Sequence, residues 1–152
     1  MKILITGGCG YTGSILVPHL LKSGHKITVI DTMWFGNYLK KNPRLKVIKR
    51  DVRKLNDFSF LGFDTIVHLA NIANDPSVEL NPVLSWEVNV LAGQQIIDKA
   101  YKQGVKHFIF ASSGSVYGIK KEKKVTEDLS CHPLTTYNKT KMVAENIFLN
   151  YK

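Results

Sequence analysis

The sequence predicts an α/β chain folded as a doubly wound parallel sheet, and three observations predict it. Short β-branched runs alternate with helical patterns along all 152 residues, with short connections, as a parallel sheet covered on both faces requires. The opening run, Lys2-Ile-Leu-Ile-Thr6, empties directly into a glycine-rich turn followed by a helical pattern. The runs Ile66-Val67-His68-Leu69-Ala70 and Phe108-Ile109-Phe110-Ala111 are nearly all apolar, which is the pattern of central strands buried on both faces.

Taken in order, strands are expected near 2–6, 26–31, 45–50, 63–69 and 106–111, and helices near 12–23, 53–58, 83–102 and 137–151. The first and third helices end at Ser23-Gly24 and Gln103-Gly104, where glycine suits a left-handed terminating residue. Thr32 to Pro43 reads as loop with one turn. Right-handed connections then give the strand order 3-2-1-4-5. The order reverses between strands one and four, and a ligand crevice is expected at their carboxyl ends. Gly7 to Gly13, Asp31, Asp51, the segment after Leu69 and the segment after Ala111 converge there. No repeat, low-complexity tract or interdomain linker interrupts the chain, so residues 1–152 read as one domain.

Hydrophobic residues make up 44% and charged residues 22%, the balance of an ordinary globular chain. The longest apolar runs are strand-sized, which excludes a helical membrane span. Met1 is followed at once by the first strand, so no signal peptide is expected. Cys9 and Cys131 are the only cysteines, and neither has the spacing of a metal site. A cytoplasmic, disulfide-free protein without a metal is expected. The net charge of +9 comes largely from Lys40–Lys54 and from Lys120-Lys121-Glu122-Lys123-Lys124. Solvated lysine-rich surface explains both clusters first, steering of an anionic ligand second, and nucleic-acid binding a distant third.

The glycines satisfy both Gly8-x-Gly10-x-x-Gly13 and Gly7-x-x-Gly10-x-x-Gly13. Such a turn lets the backbone approach an anion, and the helix behind it offers unpaired N–H groups and its positive dipole end, which together suit a pyrophosphate. The second strand, Lys26-Ile-Thr-Val-Ile-Asp31, ends in an acid about twenty residues into the unit. A carboxylate there can accept from both ribose hydroxyls of an adenosine and would repel a 2′-phosphate, which favours NAD over NADP.

Two further motifs carry chemistry. Tyr137 and Lys141 stand four apart at the head of the last helical segment, so they share a face. An ammonium near a phenol favours the phenolate and equips it for proton transfer. Ahead of them, Ala111-Ser112-Ser113-Gly114-Ser115-Val116-Tyr117-Gly118 places hydroxyls at the end of the fifth strand, where they can hold a substrate oxygen.

With these motifs in hand, the chain resembles the N-terminal part of an extended short-chain dehydrogenase/reductase of the NAD-dependent epimerase/dehydratase group. The resemblance rests on Thr6-Gly-Gly-Cys-Gly-Tyr-Thr-Gly13, Asp31, Asp51-Val52, His68-Leu-Ala-Asn71, Asn89-Val90, Ser112-Ser-Gly-Ser-Val-Tyr-Gly118 and Tyr137-x-x-x-Lys141, in that order along the chain. It implies a Rossmann fold in which Gly7, Gly10 and Gly13 shape the pyrophosphate turn, while Tyr11 and Thr12 offer backbone N–H groups. Asp31 would hold the adenosine ribose, Asp51 and Val52 would address the adenine, and Leu69, Ala70 and Asn71 would line the cofactor path. Ser113, four residues before Tyr117, matches the family's catalytic hydroxyl residue. Tyr137 would be the general acid/base, with Lys141 tuning it and binding the nicotinamide ribose. His68 and Asn89 would be structural.

The implied chemistry is transient oxidation of a sugar hydroxyl to a keto-sugar, with NAD as cofactor and a UDP- or dTDP-linked sugar as substrate. Family dehydratases carry an acidic pair after the catalytic hydroxyl residue, where this chain has Gly114-Ser115; epimerase or simple oxidoreductase chemistry is therefore favoured over dehydration. Asn138 also stands where the family usually has a small residue. Extended members continue into a C-terminal substrate region that is expected to be missing here, so a non-catalytic NAD-binding module or an inactive truncated product stays open as the alternative. The last segment carries Met142, Val143, Ile147, Phe148 and Leu149, a wide apolar face. A homodimer through the helices near 83–102 and 137–151 is expected, with neither nucleic acid nor membrane as partner.

Overall fold

The structure, a computed structural model, describes residues Met1–Tyr151. Strands β1 (Lys2–Thr6), β2 (Lys26–Asp31), β3 (Leu45–Lys49), β4 (Thr65–His68) and β5 (His107–Phe110) form one sheet in the order β3-β2-β1-β4-β5. All four pairings are parallel, with Ile5 opposite Val29 on one side and Val67 on the other. The expected topology is therefore the observed one.

Strand alternation divides the core into two layers. Ile3 and Ile5 of β1 point to one face and pack with Ile27, Val29 and Val67 under α1 (Tyr11–Lys22), which contributes Val17 and Leu21. Leu4 points to the other face and meets Ile30, Phe60 and Ile66 beneath the helical segment that carries Val88, Ala92 and Ile96. The two ends foreseen at Gly24 and Gly104 close α1 and α4 (Gly93–Lys102), with His25 N–H donating to Leu20 O at 3.2 Å and Val105 N–H to Ala100 O at 3.0 Å.

Three expectations need correction. The helix near 53–58 is a single 3₁₀ turn, Val52–Lys54. The chain leaves it at once to bring Phe58, Phe60 and Phe63 together under the sheet, which a regular helix could not do. The helix near 83–102 begins earlier and is composite. Asn74 caps α2 (Asp75–Leu80), then Asn81 caps α3 (Pro82–Trp86), and helical backbone continues through a π-helical segment, Glu87–Ala92, into α4. Pro82 lacks the N–H that α2 would need to continue, so it breaks α2 and opens α3. Finally, the fifth strand is not buried on both faces. It is the last strand of the sheet among the described residues, and Ile109 is 54% exposed while Phe108 and Phe110 turn inward.

The last helix, α5 (Thr136–Leu149), covers that inward face. Ala144 and Phe148 are buried with Ile97, and the Phe148 ring meets Phe110 edge-on at 4.7 Å and Phe108 at 5.1 Å. Part of the wide apolar face foreseen in the last segment is thus spent on the chain's own sheet, while Leu149 stays exposed. Gly93 is where α4 passes closest: a Cβ there would stand 2.7 Å from the Phe148 ring.

His68 ends β4 inside this aromatic cage, with Phe108, Phe110 and Phe148 rings all within about 6 Å of its own. Its Nδ1 lies 2.6 Å from Thr6 Oγ1. Burial, with the nearby Lys141 charge adding to it, pushes the imidazole from its ordinary 6.5 down to about 3. Between those values the unfolded chain binds a proton that the folded chain refuses, so stability falls as pH is lowered from 6.5 toward 3. The expected contribution is up to about 1.4 kcal/mol per pH unit. Urea unfolding across this range should show a shallower slope for His68→Asn than for the parent.

Candidate active site

The cleft lies where the strand order reverses, at the carboxyl ends of β1 and β4, and has a volume of about 810 Å³. Its floor is the glycine turn. Gly7, at φ 70°, donates to Ile30 O at 2.8 Å, which ties the turn to the end of β2. A Cβ on Gly7 would stand 2.5 Å from the backbone nitrogen of Ala70, and one on Gly13 would stand 2.3 Å from Gly8 O. Only hydrogen at these positions lets the turn close on itself and on the end of β4.

Behind the turn, α1 presents its N-terminus to the cleft. Asn74, Asn81 and Thr135 cap α2, α3 and α5 with their side chains, whereas Gly10 gives α1 no side-chain cap and its first turn holds no acid. Tyr11, Thr12 and Ser14 line the cleft at this end. Unpaired N–H groups and the positive end of the helix dipole are left to an anion. Gly10 also lines the cleft, while Gly13 is buried beneath it.

Asp31 closes the turn from the β2 side. Its Oδ2 accepts from Cys9 N–H at 2.9 Å and its Oδ1 from Met33 N–H at 2.7 Å. Burial, aided by the Asp31 charge, pushes the Cys9 thiol up to about 11, so Cys9 stays protonated and packs with the core. Further along this wall lie Asp51 and the buried Val52. Hydrogen bonds from Arg53 hold the Asp51 carboxyl below its ordinary range, and Arg53 also donates to Glu87 Oε2 at 2.6 Å. Leu69, Ala70 and Asn71 line the cleft directly after β4, where Leu69 N–H donates to Thr6 O at 2.9 Å.

The far end is built by α5. Thr135 caps it by accepting from Asn138 N–H, and Tyr137 and Lys141 both face the cleft one turn apart. Lys141 is 3% exposed. Its Nζ donates to Ala111 O at 2.5 Å and sits 4.1 Å from the Phe110 ring centre. Burial lowers this ammonium from 10.5 to about 8, against a smaller upward pull from Glu145. The register of α5 is set by Thr140, whose Oγ1 donates to Tyr137 O at 2.7 Å and accepts from Asn89 Nδ2 at 3.2 Å. Asn89 in turn holds both backbone groups of Ile72, at 2.7 and 3.1 Å. The structural role expected for Asn89 is thus to lock α5 to the loop after β4.

Ser113 falls elsewhere. It borders the neighbouring hollow beside Tyr117, and its Oγ lies 2.7 Å from Ser115 Oγ while accepting from Ser115 N–H at 3.2 Å. It caps the 3₁₀ turn Gly114–Tyr117. Ser112 lines the main cleft instead, donating to Glu145 Oε2 at 2.5 Å. Sequence reasoning missed the cleft residues Trp34, Phe35, Tyr38 and Arg53. Three aromatics packed into a short polar loop directly after Asp31 were the available signal.

Fold and site together define a Rossmann-type α/β domain with a glycine turn and a tyrosine–lysine pair on one crevice. The chain belongs to the NAD dependent epimerase/dehydratase family, whose model matches residues 3–152; the family's cofactor is NAD. It is 30% identical over 151 residues to the UDP-glucose 4-epimerase of Lactobacillus helveticus, covering 97% of this chain and 46% of that protein. The fold matches the UDP-Glc/GlcNAc 4-epimerase from Campylobacter jejuni with a TM-score of 0.91 and 28% identity, over 99% of this chain and 48% of that one. It also matches a UDP-glucuronic acid 4-epimerase from Bacillus cereus in complex with UDP-4-deoxy-4-fluoro-glucuronic acid and NAD, with a TM-score of 0.86 and 31% identity, over 99% of this chain and 52% of that one. The chain therefore spans about half the length of the relatives it matches. Among the described residues, no helix is long and apolar enough to cross a membrane.

Two outcomes follow from the packing. Gly13→Ala forces a methyl against the Gly8 carbonyl, and urea unfolding should show a loss of about 1–3 kcal/mol. Lys141→Met removes a buried charge and should raise stability at pH 7 by about 1–3 kcal/mol. In the parent that cost is full below pH 8 and fades toward 10.5 as the folded chain sheds the proton first. The advantage of Lys141→Met should shrink over the same range.

Proposed function

We infer that this chain is the cofactor-binding half of an NAD-dependent epimerase or oxidoreductase that acts on a UDP- or dTDP-linked sugar. The observation that carries this reading is a single cleft with an uncapped helix N-terminus and side-chain-free turn at one end and a buried lysine beside a tyrosine at the other. The donor set fits an adenine dinucleotide. Gly7, Gly10 and Gly13 would shape the pyrophosphate turn, Tyr11 and Thr12 would offer it N–H groups, and Asp31 would hold the adenosine ribose. Asp51 and Val52 border the base end, and Leu69, Ala70 and Asn71 border the path toward Tyr137.

Bound NAD supplies a reversible hydride acceptor, and the chain's own residues handle the proton. Tyr137 takes the proton of a sugar hydroxyl as that carbon is oxidised and returns it when the carbonyl is reduced. The Lys141 ammonium, held in low dielectric between Ala111 O and the Phe110 ring, offsets the negative charge that the phenol oxygen carries before it takes that proton and again after it gives it back. Lys141 would also bind the nicotinamide ribose. Ser113 or its neighbour Ser112 holds the substrate oxygen, and Ser112 is the one that borders the cleft. Homodimerisation uses the helices near 83–102 and 137–151, where Val83, Leu91 and Leu149 are exposed. Two unpaired cysteines, Cys9 and Cys131, suit the cytoplasm.

A second reading, a non-catalytic NAD-binding module, is favoured by one observation: the matched relatives are about twice as long. Calorimetric titration with NAD, followed by incubation with UDP-glucose or UDP-galactose, separates the two. Binding with interconversion supports catalysis, and binding without it supports the module. Asp31→Ala should weaken NAD at least about 10-fold, the loss of a charged hydrogen-bond acceptor. Tyr137→Phe should leave NAD affinity within about threefold and abolish any interconversion. Unaltered binding and turnover in both variants would overturn the site assignment.

A further inference from the structure

Two successive residues at the end of β5 take hold of two successive turns of α5. Ala111 O accepts from Lys141 Nζ, and Ser112 Oγ donates to Glu145 Oε2, both at 2.5 Å. Lys141 and Glu145 stand four apart and share a helical face. The two bonds nevertheless fall on opposite sides of one wall. Lys141 lines the cleft, Glu145 lines the neighbouring hollow, and Ser112 borders both. Held there by Ser112, the carboxylate forms no ion pair with Lys141 among the described residues.

An ammonium has three N–H donors, and one of them goes to Ala111 O. The other two meet no protein acceptor among the described residues, and Tyr137 stands one turn back on the same cleft wall. A carboxylate one turn away still acts through its field, which favours the charged form of a buried lysine. Glu145 is the charge that pulls this ammonium upward against burial. From the surrounding elements, His68 on β4 faces Lys141 as a neutral imidazole, and Tyr117 of the 3₁₀ turn shares the hollow with Glu145 and Glu127. Glu87 is taken by Arg53 and Asp98 by Lys102. Asp75 and Glu79 of α2, Asp128 of the preceding loop, and Asp31 and Asp51 across the cleft complete the acids around this end of the molecule.

We propose that the Ser112–Glu145 bond is a latch that sets the working state of Lys141. It holds the carboxylate near enough to keep the ammonium charged and too far away to capture the N–H donors that serve Tyr137. Ser112 and Glu145 are then positioning residues that act through Lys141. A hydroxyl has one proton to give, and Ser112 gives it to Glu145, so toward the cleft Ser112 can only accept. The proposal rests on the role given to Lys141 above and adds what maintains its charge.

The test is an NMR pH titration of this chain with lysine labelled with carbon-13 at Cε, the Lys141 signal being the one that Lys141→Met removes. Glu145→Gln keeps an acceptor for Ser112 and loses the charge, so the Lys141 midpoint should fall by about one pH unit. Ser112→Ala frees the carboxylate to pair with Lys141, and the midpoint should rise by about half a unit or more. Ser112→Ala/Glu145→Gln should return to the lowered value of Glu145→Gln, and Ser112→Thr, which keeps the hydroxyl, should match the parent. A merely structural contact would not move the midpoint in opposite directions. Ser112 is exposed and Glu145 half-buried, so these variants are expected to fold. An unchanged midpoint in Glu145→Gln, or one that does not rise in Ser112→Ala, overturns the latch. The titration needs neither NAD nor substrate, so that failure leaves the cofactor reading standing.

Discussion

The molecule depends on backbone lying directly against backbone at the point where the strand order reverses. The glycine turn after β1 touches the first residues after β4 so closely that a methyl on Gly7 would overlap the Ala70 amide, and a methyl on Gly13 would overlap Gly8. Contacts of that kind tolerate no side chain, so they fix the turn's path within a few tenths of an ångström. Asp31 and the Gly7–Ile30 hydrogen bond then pin the same turn to β2. Three strand ends are thereby held in one place, and the cleft is the space above them.

A second constraint locates the other end of the cleft. Helix α5 arrives from a lysine-rich loop with little of its own to position it, yet its register is set by a short polar chain from Ile72 through Asn89 to Thr140. Apolar packing of Phe148 against β5 holds the distal turns. Together these deliver Lys141 into a buried position where a charge is costly. The protein keeps that cost because the ammonium has one well-placed acceptor and the face of Phe110, and a less buried lysine would exert a weaker field on its neighbours. The tension between stability and site chemistry is local to this one side chain.

Strand-level reading worked because each strand carried its own signal. β1, β2 and β4 are short apolar runs whose two faces are both buried, and the glycines after β1 and at the ends of α1 and α4 mark positions that few other residues could fill. The long helix was harder. Its interruption at Asn81-Pro82 was visible as a proline, but the π-helical widening at Glu87–Ala92 has no local sequence signature and answers to packing against α5 and the sheet. The 3₁₀ turn at Val52–Lys54 likewise reflects three phenylalanines farther along competing for the core. At the site, spacing to Tyr117 singled out Ser113, and the structure adds that its hydroxyl meets Ser115 in the hollow next to the cleft that Ser112 borders.

By itself the sequence determined the sheet order, the glycine turn, the acid after β2 and the tyrosine–lysine spacing, because each depends on residues within one element or on the obligatory hand of the crossovers. Only the tertiary structure decided what surrounds those residues. That Phe108 and Phe110 of β5 pack under α5, that Lys141 is buried, that Asp51 accepts from Arg53, and that Trp34 and Phe35 rim the cleft all depend on which distant groups end up adjacent. Burial and hydrogen-bond partners are properties of the assembled neighbourhood, and no local pattern encodes them.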